Sequence, residues 1–253
     1  MKDLIELPTG GGRFVAFKES FTLLCNSFKI NQAVRLGFTL AESLITLGII
    51  GILAALTLPV IVENHQKQET IVRLKKVYST VSNTYMYAVN LYGAINTWDW
   101  SDKQQVFDTY LLPLLPSVTT FNSNCAWGAC FCVSTTDKII WAANLEHEYR
   151  WPGGQGITSP IPSSSPSIQF PDGACAIIDK ETIWIDVNGA YKLPNVIGKD
   201  VFVIGINDMG GIEPYRPYGR DTCGADYKKQ KSGSGLDCAT KIIEQGWQIT
   251  YPW

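Results

Sequence analysis

The chain has 253 residues, of which 45% are hydrophobic and 17% are charged, an ordinary balance for one or two folded domains. Its formal net charge is −2 and it contains no long basic run, so no nucleic-acid partner is predicted. The 8 Trp, 11 Tyr and 10 Phe are enough to fill a hydrophobic core.

The first predicted element is an apolar helix from Phe38 to Val62, in which Glu42 is the only ionisable residue. At about 1.5 Å per residue this helix is longer than the hydrocarbon core of a bilayer, which is about 30 Å thick. A buried core helix is the alternative, but such helices are rarely this long or this uniformly apolar. The sequence therefore predicts a single transmembrane helix.

After Pro59 the apolar pattern becomes one-sided, which predicts that the helix continues as an amphipathic segment over residues 63–93. Gly93 is the predicted stop, so the whole helix should run from Phe38 to about Tyr92, with a bend near Pro59. The apolar stripe recurs at steps of three and four residues: Ile71, Leu74, Tyr78, Val81, Tyr85, Ala88 and Tyr92.

A globular domain is predicted over residues 94–253, because the helix stripe needs an apolar partner. Only Lys180 and Glu181 separate two of its strand-like runs, so a hairpin and an antiparallel sheet are expected. The fold class is therefore α+β, with the helix packed on the sheet. A Pro-, Ser- and Gly-rich stretch at 151–172 is predicted to be an exposed loop. The predicted strands cover residues 130–134, 138–145, 174–179, 182–187 and 201–206.

The run Gly37-Phe38-Thr39-Leu40-Ala41-Glu42, followed by an apolar helix containing Pro59, resembles type IV prepilins and type II secretion pseudopilins. The resemblance covers Arg35 to about Tyr92 and implies a pilin-like fold. It implies that residues 1–37 are a cytoplasmic leader, which a prepilin peptidase removes between Gly37 and Phe38. The new amine of Phe38 is then N-methylated.

The same resemblance gives Glu42 a role in assembly. A lone carboxylate inside hydrocarbon costs a few kcal/mol or more, and the amine that cleavage creates on Phe38 of a neighbouring subunit can pair with it. The implied partners are prepilin peptidase, other pilin or pseudopilin subunits and the assembly platform of the inner membrane. The alternative from the residues alone is that Glu42 lies near the membrane surface and snorkels into water.

The cysteines indicate which side of the membrane the domain occupies. Removing residues 1–37 deletes Cys25 and leaves six, an even number that suits an exported, oxidised C-terminal domain. By resemblance to the disulfide-bounded loop of many pilins, Cys223 pairs with Cys238. Cys130 and Cys132 are too close to pair well, so each is expected to bond with either Cys125 or Cys175. A zinc site is the rival interpretation.

Other candidate sites are weak. Asp186, Asn188 and Asp200 supply oxygen ligands, and some pseudopilins hold calcium near this end. The spacing is not that of an EF-hand, however, and a plain Asx turn also explains D-x-N-G.

His65 and His147 are interpreted as solvated, and no catalytic motif is found, so no enzyme is predicted.

The leading hypothesis is a structural subunit of a type II secretion pseudopilus or a type IV pilus, single-pass in the inner membrane with its C-terminal domain outside the cytoplasm. The sequence does not decide between the two filaments. The alternative is a membrane-anchored binding module, for example for carbohydrate, in which the helix is only an anchor. Its stacking surface would come from among seven tryptophans: Trp98, Trp100, Trp127, Trp141, Trp151, Trp184 and Trp247.

Overall fold

The computed structural model describes residues 39–121, 149–153, 165–189, 192–217, 221–224 and 235–253. These residues form an α+β fold, as the sequence predicts. The chain divides into two compact units, Met1–Thr57 and Leu58–Trp253.

A single long helix, α1, runs from Leu40 to Tyr92 and contains Pro59. The prediction of a continuous helix ending before Gly93 is confirmed, because Gly93 has φ +87°, a conformation that favours glycine and ends helices. Its N–H donates to the carbonyl oxygen of Val89 at 2.9 Å, which completes the last turn.

From Thr70 onward, one face of α1 is buried in the domain. Most of the predicted stripe is confirmed, but Tyr92 is 43% exposed and Tyr78 is only partly buried. Val77 is buried next to Tyr78, so the buried face is rotated slightly from the predicted one. The buried residues are Thr70, Ile71, Leu74, Val77, Val81, Thr84, Tyr85 and Ala88.

A series of short helices follows α1. It consists of 3-10 helices at Ile95–Thr97 and Leu112–Leu114, helix α2 at Lys103–Val106 and a π-helix at Phe107–Leu111. Asp102 caps α2, since its side chain accepts a hydrogen bond from the backbone N–H of Gln105 at 3.0 Å. The prediction identified none of these helices, which are too short to show a period in the sequence.

Within the described residues, six antiparallel strands form one sheet whose spatial order follows the chain, β1 to β6. The predicted hairpin is confirmed between β3 and β4, with Ile178 opposite Ile183. The strands are β1 Thr119–Phe121, β2 Ser167–Gln169, β3 Cys175–Ile178, β4 Thr182–Asp186, β5 Val201–Ile206 and β6 Ile212–Glu213.

The sheet is buried on both faces, because alternate residues of its strands enter two separate clusters. On one face, Ile183, Ile185 and Phe202 pack in the same cluster as Leu74 and Val81 of α1. On the other face, Trp184 and Val203 pack with a group that includes Tyr149 and Trp151. The predicted packing of the helix stripe on the sheet is therefore confirmed.

The prediction of an exposed loop at 151–172 is wrong both at Trp151, which is buried, and at the C-terminal end of the stretch. The stretch 151–172 was expected to be an exposed loop, but β2 lies within it and Ile168 is fully buried. A strand of three residues between prolines and serines carries too little pattern to be recognised, and it is held by pairing with β1 and β3. The predicted strands 130–134 and 138–145 lie outside the described residues.

Helix α3, Cys238–Glu244, closes the fold beside β5, with Cys238, Ala239 and Ile242 in the main core cluster. It was not predicted from the sequence.

Candidate functional site

The N-terminus of α1 is closed by a reciprocal capping box between Thr39 and Glu42. The backbone N–H of Thr39 donates to Oε2 of Glu42 at 2.8 Å, and the backbone N–H of Glu42 donates to Oγ1 of Thr39 at 3.2 Å. The Thr39 hydroxyl also donates to Oε2 at 2.9 Å. Two backbone donors at the helix start are thereby satisfied. This capping box was not predicted, although Thr-x-x-Glu before an apolar run indicates it.

The other carboxylate oxygen of Glu42, Oε1, accepts no hydrogen bond from the described residues, and both Thr39 and Glu42 are exposed. The capping box therefore uses only one of the two carboxylate oxygens of Glu42. A cation could still approach the other oxygen without breaking the cap.

The helix that follows presents an apolar surface on all sides as far as Val62. Within the described residues, α1 is the one helix long and apolar enough to cross a membrane. Large aliphatic side chains are exposed throughout: Leu40, Leu44, Ile45, Leu47, Ile49, Ile50, Ile52, Leu53, Leu56, Leu58, Val60, Ile61 and Val62. An all-round apolar helix is stable only in lipid or among other apolar helices.

Pro59 lies inside this apolar part of α1 and has no hydrogen-bonding N–H, so it removes one backbone bond from the helix. The predicted processing residues, Gly37 and Phe38, lie outside the described residues and directly precede Thr39 in the sequence. Cleavage between them stays a prediction.

Where β4 ends, Asp186 organises the D-x-N-G turn. Its Oδ1 accepts hydrogen bonds from the backbone N–H groups of Asn188 and Gly189 at 3.2 and 2.9 Å, and its Oδ2 accepts from the Tyr149 hydroxyl at 2.7 Å. This is an Asx turn. Gly189 has φ +83°, and a Cβ there would lie 2.3 Å from the carbonyl oxygen of Gly173, so only glycine fits.

Asp200, just before β5, also accepts hydrogen bonds from protein donors. It accepts hydrogen bonds from the backbone N–H groups of Val196 at 2.6 Å and Asn195 at 2.7 Å, and from Nδ2 of Asn188 at 3.2 Å. Burial raises the pKa of Asp186, and the nearby Asp200 carboxylate raises it further, while its own hydrogen bonds oppose the rise. Burial likewise raises the pKa of Asp200 against these hydrogen bonds.

These contacts engage the carboxylates of the predicted calcium site, and calcium binding there stays a prediction. The structure brings Asp186, Asn188 and Asp200 together, as the prediction of a cation site requires, but N–H and O–H groups already point at their carboxylates. Asn188 directs its amide nitrogen, not its oxygen, at Asp200. Across the described residues, no group of three His, Cys, Asp or Glu could hold a metal ion, a finding that does not extend to a set with an asparagine ligand such as Asn188. The arrangement acts as a buried polar corner that fixes the connection between β4 and β5.

The disulfide implied by the resemblance is present between Cys223 and Cys238, which are 15 residues apart and both fully buried. It ties the segment before α3 to the first residue of that helix. Cys175 is disulfide-bonded too. Because Cys125, Cys130 and Cys132 lie outside the described residues, the choice between the remaining pairings stays open.

The described tryptophans pack in or against the hydrophobic core. Trp98, Trp151 and Trp184 are at most 5% exposed, and Trp100 and Trp247 pack against the core. Trp98 stacks on Tyr110 with ring centroids 4.8 Å apart. Trp127 and Trp141 lie outside the described residues, as does His147, whereas His65 is exposed on α1. The described tryptophans therefore supply no open stacking platform for a sugar.

Comparison with known proteins gives one family match. A family model described as a family of unknown function, DUF6613, matches residues 60–123, which is less than half of the chain. No curated protein matches the chain, and neither does any solved structure. The matched region begins in the last part of the apolar surface and ends at β1, and the match brings no activity, substrate or partner with it.

Proposed function

We propose that this protein is a prepilin-like structural subunit of a type IV pilus or a type II secretion pseudopilus, assembled through α1 after its leader is removed. The observation that carries the proposal is the change of surface along one helix. The large aliphatic side chains of Leu40–Val62 are exposed on every side of the helix, whereas Thr70–Ala88 bury one face in a folded domain. An anchor that also packs into a filament needs both surfaces.

The apolar part of α1 explains both how the subunit is held in the membrane and how it packs into a filament. Each large aliphatic side chain removed from water contributes about 1.5–3 kcal/mol, so the exposed side chains hold the subunit in the bilayer before assembly. In a filament, the same side chains pack against those of neighbouring helices. The two environments are similar in polarity, and transfer between them therefore costs little hydrophobic free energy.

Glu42 sets how neighbouring subunits align along the filament. With Oε2 engaged by Thr39, Oε1 accepts no hydrogen bond from the described residues, and the exposed Glu42 lies four residues after the amine that cleavage between Gly37 and Phe38 creates. Pairing Glu42 with the Phe38 amine of a neighbouring copy neutralises two charges that are both costly in an apolar filament core. A subunit without this carboxylate leaves the amine of its neighbour unpaired.

Intact-mass analysis tests the processing step. The full chain expressed with a prepilin peptidase is expected to lose residues 1–37 and to gain one methyl group on Phe38, and the chain expressed with an inactive peptidase should keep its full mass. A chain that stays uncut in the presence of active peptidase contradicts the proposal and favours a simple membrane anchor.

Two variants separate the charge of Glu42 from its role in the cap. Glu42→Gln keeps an oxygen that can accept from Thr39 but removes the charge, and Thr39→Ala removes the hydroxyl but keeps the charge. We expect both variants to be cleaved normally, and only Glu42→Gln to lose incorporation into sheared filaments. Equal filament yield from Glu42→Gln and the unchanged protein rules out the pairing role.

A further inference from the structure

A groove with two different walls runs beside α1. It consists of two adjoining cavities of about 480 and 340 Å³ that share Gln66, Lys199 and Trp253. The smaller cavity is lined by Leu58, Pro59 and Val62 of the apolar part of α1. The larger one is lined by polar residues of α1 and by the connection between β4 and β5. The groove therefore passes from an apolar wall to a polar wall.

The polar wall carries two cations that no described carboxylate neutralises. The acidic residues along it are already engaged: Glu63 binds Lys67 at 2.8 Å, Glu69 binds Arg73 at 2.9 Å, and Asp200 accepts hydrogen bonds from the N–H donors described above. Lys192 and Lys199 also line the groove, and neither has an ion pair within the described residues. An anion is the ligand that complements this wall.

The residues around these cations are those found at membrane surfaces. Lys199 lies over the ring of Trp253, with its Nζ 5.0 Å from the ring centroid, and Leu193 beside Lys192 is 60% exposed. Trp253 is buried in the main core cluster and places Lys199 at the groove. Lysine is favoured where protein meets the headgroup layer, and an exposed leucine there contacts the upper acyl chains. The apolar wall at Leu58 and Val62 ends where charged residues begin in the sequence, at Glu63.

We propose that this groove binds an anionic phospholipid of the membrane that holds α1. The phosphate contacts Lys192 and Lys199, the headgroup lies in the larger cavity, and an acyl chain runs along Leu58 and Val62. Free phosphate has no group for the apolar wall, and a neutral hydrocarbon leaves both lysines without a counter-ion. This inference rests on the membrane anchoring that belongs to the proposed function, but not on cleavage or on filament assembly.

Lipid retention tests the site. The full chain is reconstituted into nanodiscs of phosphatidylcholine mixed with phosphatidylglycerol, released into mild detergent and weighed by native mass spectrometry. We expect retention of phosphatidylglycerol over phosphatidylcholine, with each lysine contributing roughly fivefold. Lys192→Gln with Lys199→Gln should abolish the preference. The matched control, Lys75→Gln with Lys180→Gln, changes the same charge away from the groove and should keep it.

A second measurement distinguishes a lipid from a free anion. Hydrogen exchange of the 192–199 segment is followed in detergent with inorganic phosphate or with short-chain phosphatidylglycerol. Protection by the lipid alone supports the proposal, and equal protection by phosphate overturns it. Equal retention of both lipids by the unchanged protein, or loss of preference in the control pair, also overturns it.

The two proposals can fail separately. A chain that does not float with vesicles lacks the anchoring on which both depend. A chain that floats and selects phosphatidylglycerol, but stays uncut by prepilin peptidase, keeps the lipid site and loses the pilin function.

Discussion

The two halves of α1 have the same backbone and opposite surroundings. From Leu40 to Val62 every large aliphatic side chain is exposed, and from Thr70 to Ala88 one face is buried against a sheet. The first half is apolar all round, and the second alternates at helical spacing. The two halves differ because their surroundings differ. A helix surrounded by lipid or by other apolar helices needs no polar face, whereas a helix that packs on a domain needs a polar face toward water.

The N-terminal capping box adds a second contrast. Thr39 and Glu42 satisfy the helix start locally, without help from any distant residue. The buried face of the second half depends on residues more than a hundred positions away, such as Ile204 and Ala239 in the same cluster. Substitutions in the two halves should therefore affect different measurements.

The largest expected effect is on the buried half. Leu74→Ala removes a side chain that is 1% exposed in the core and should lower the free energy of unfolding of the domain by about 2–5 kcal/mol. Val72→Ala is the control, because Val72 is 64% exposed on the same helix and should change stability by less than about 0.5 kcal/mol. Urea unfolding in detergent, followed by tryptophan fluorescence, measures both. Equal losses would mean that α1 does not bury one particular face.

A charge in the apolar half should affect insertion instead. Ile50→Lys is expected to disfavour membrane insertion by about 2.5–3.5 kcal/mol, since a lysine near the middle of a membrane helix must be dehydrated or must distort the bilayer. The fraction of chain that resists carbonate extraction from membranes measures it, with Val72→Lys in the other half as control. If Ile50→Lys leaves that fraction unchanged, Leu40–Val62 is not the membrane segment.

The stability of the domain should depend on pH. Because burial raises the pKa of Asp186, the folded state binds a proton that the unfolded chain releases. The stabilisation is complete below the usual aspartate value of about 4 and is lost as pH rises toward neutral, with a slope of at most about 1.4 kcal/mol per pH unit.

Asp186→Asn imitates the protonated acid and can keep the contacts with Gly189 and Tyr149. The difference in unfolding free energy between this variant and the unchanged protein should therefore favour the variant increasingly from pH 4 to 7. The exposed Asp208→Asn serves as control. A difference that stays constant over this range would show that Asp186 is ionised in the fold throughout.

The smallest effect concerns the junction between the two halves. Lys67 forms an i,i+4 ion pair with Glu63 at 2.8 Å, at the first turns beyond the apolar run. Lys67→Ala should cost about 0.3–0.5 kcal/mol of helix stability, and less in high salt. Hydrogen exchange of this segment at low and high salt measures it, and a loss independent of salt would point to packing of the lysine stem.

The sequence predicted the elements whose signal is local and repeated. The end of α1 was predicted at about Tyr92 and lies there, the strand at 201–206 was placed to the residue, and the hairpin between β3 and β4 followed from the two residues between its runs. The strand β2 was misjudged because Ser167–Gln169 has no pattern of its own. The short α3 was missed for the same reason, since it is held by its disulfide and by packing on β5.

For the candidate sites too, the sequence identified residues but not the contacts that they make. Glu42 stands out in the sequence as the only ionisable residue of the apolar run, but its hydrogen bonds to Thr39 give it a local role in the helix cap that was not predicted. The sequence also grouped Asp186, Asn188 and Asp200 correctly, but the donors to the two carboxylates come from contacts that no sequence pattern shows. The groove at Lys192 and Lys199 has no sequence motif, because its walls come from separate segments.

The sequence by itself determined the long helix, its change from an all-round apolar to a one-sided surface, and an antiparallel α+β domain. These features depend on which residues recur at short spacing, and burial at regular spacing follows from backbone geometry alone. Only the tertiary structure decided which carboxylates are already satisfied, which lysines remain unpaired and which edges of the sheet are extended by three-residue strands. Those properties depend on contacts between residues far apart in the chain, and no local pattern encodes the distance between two side chains.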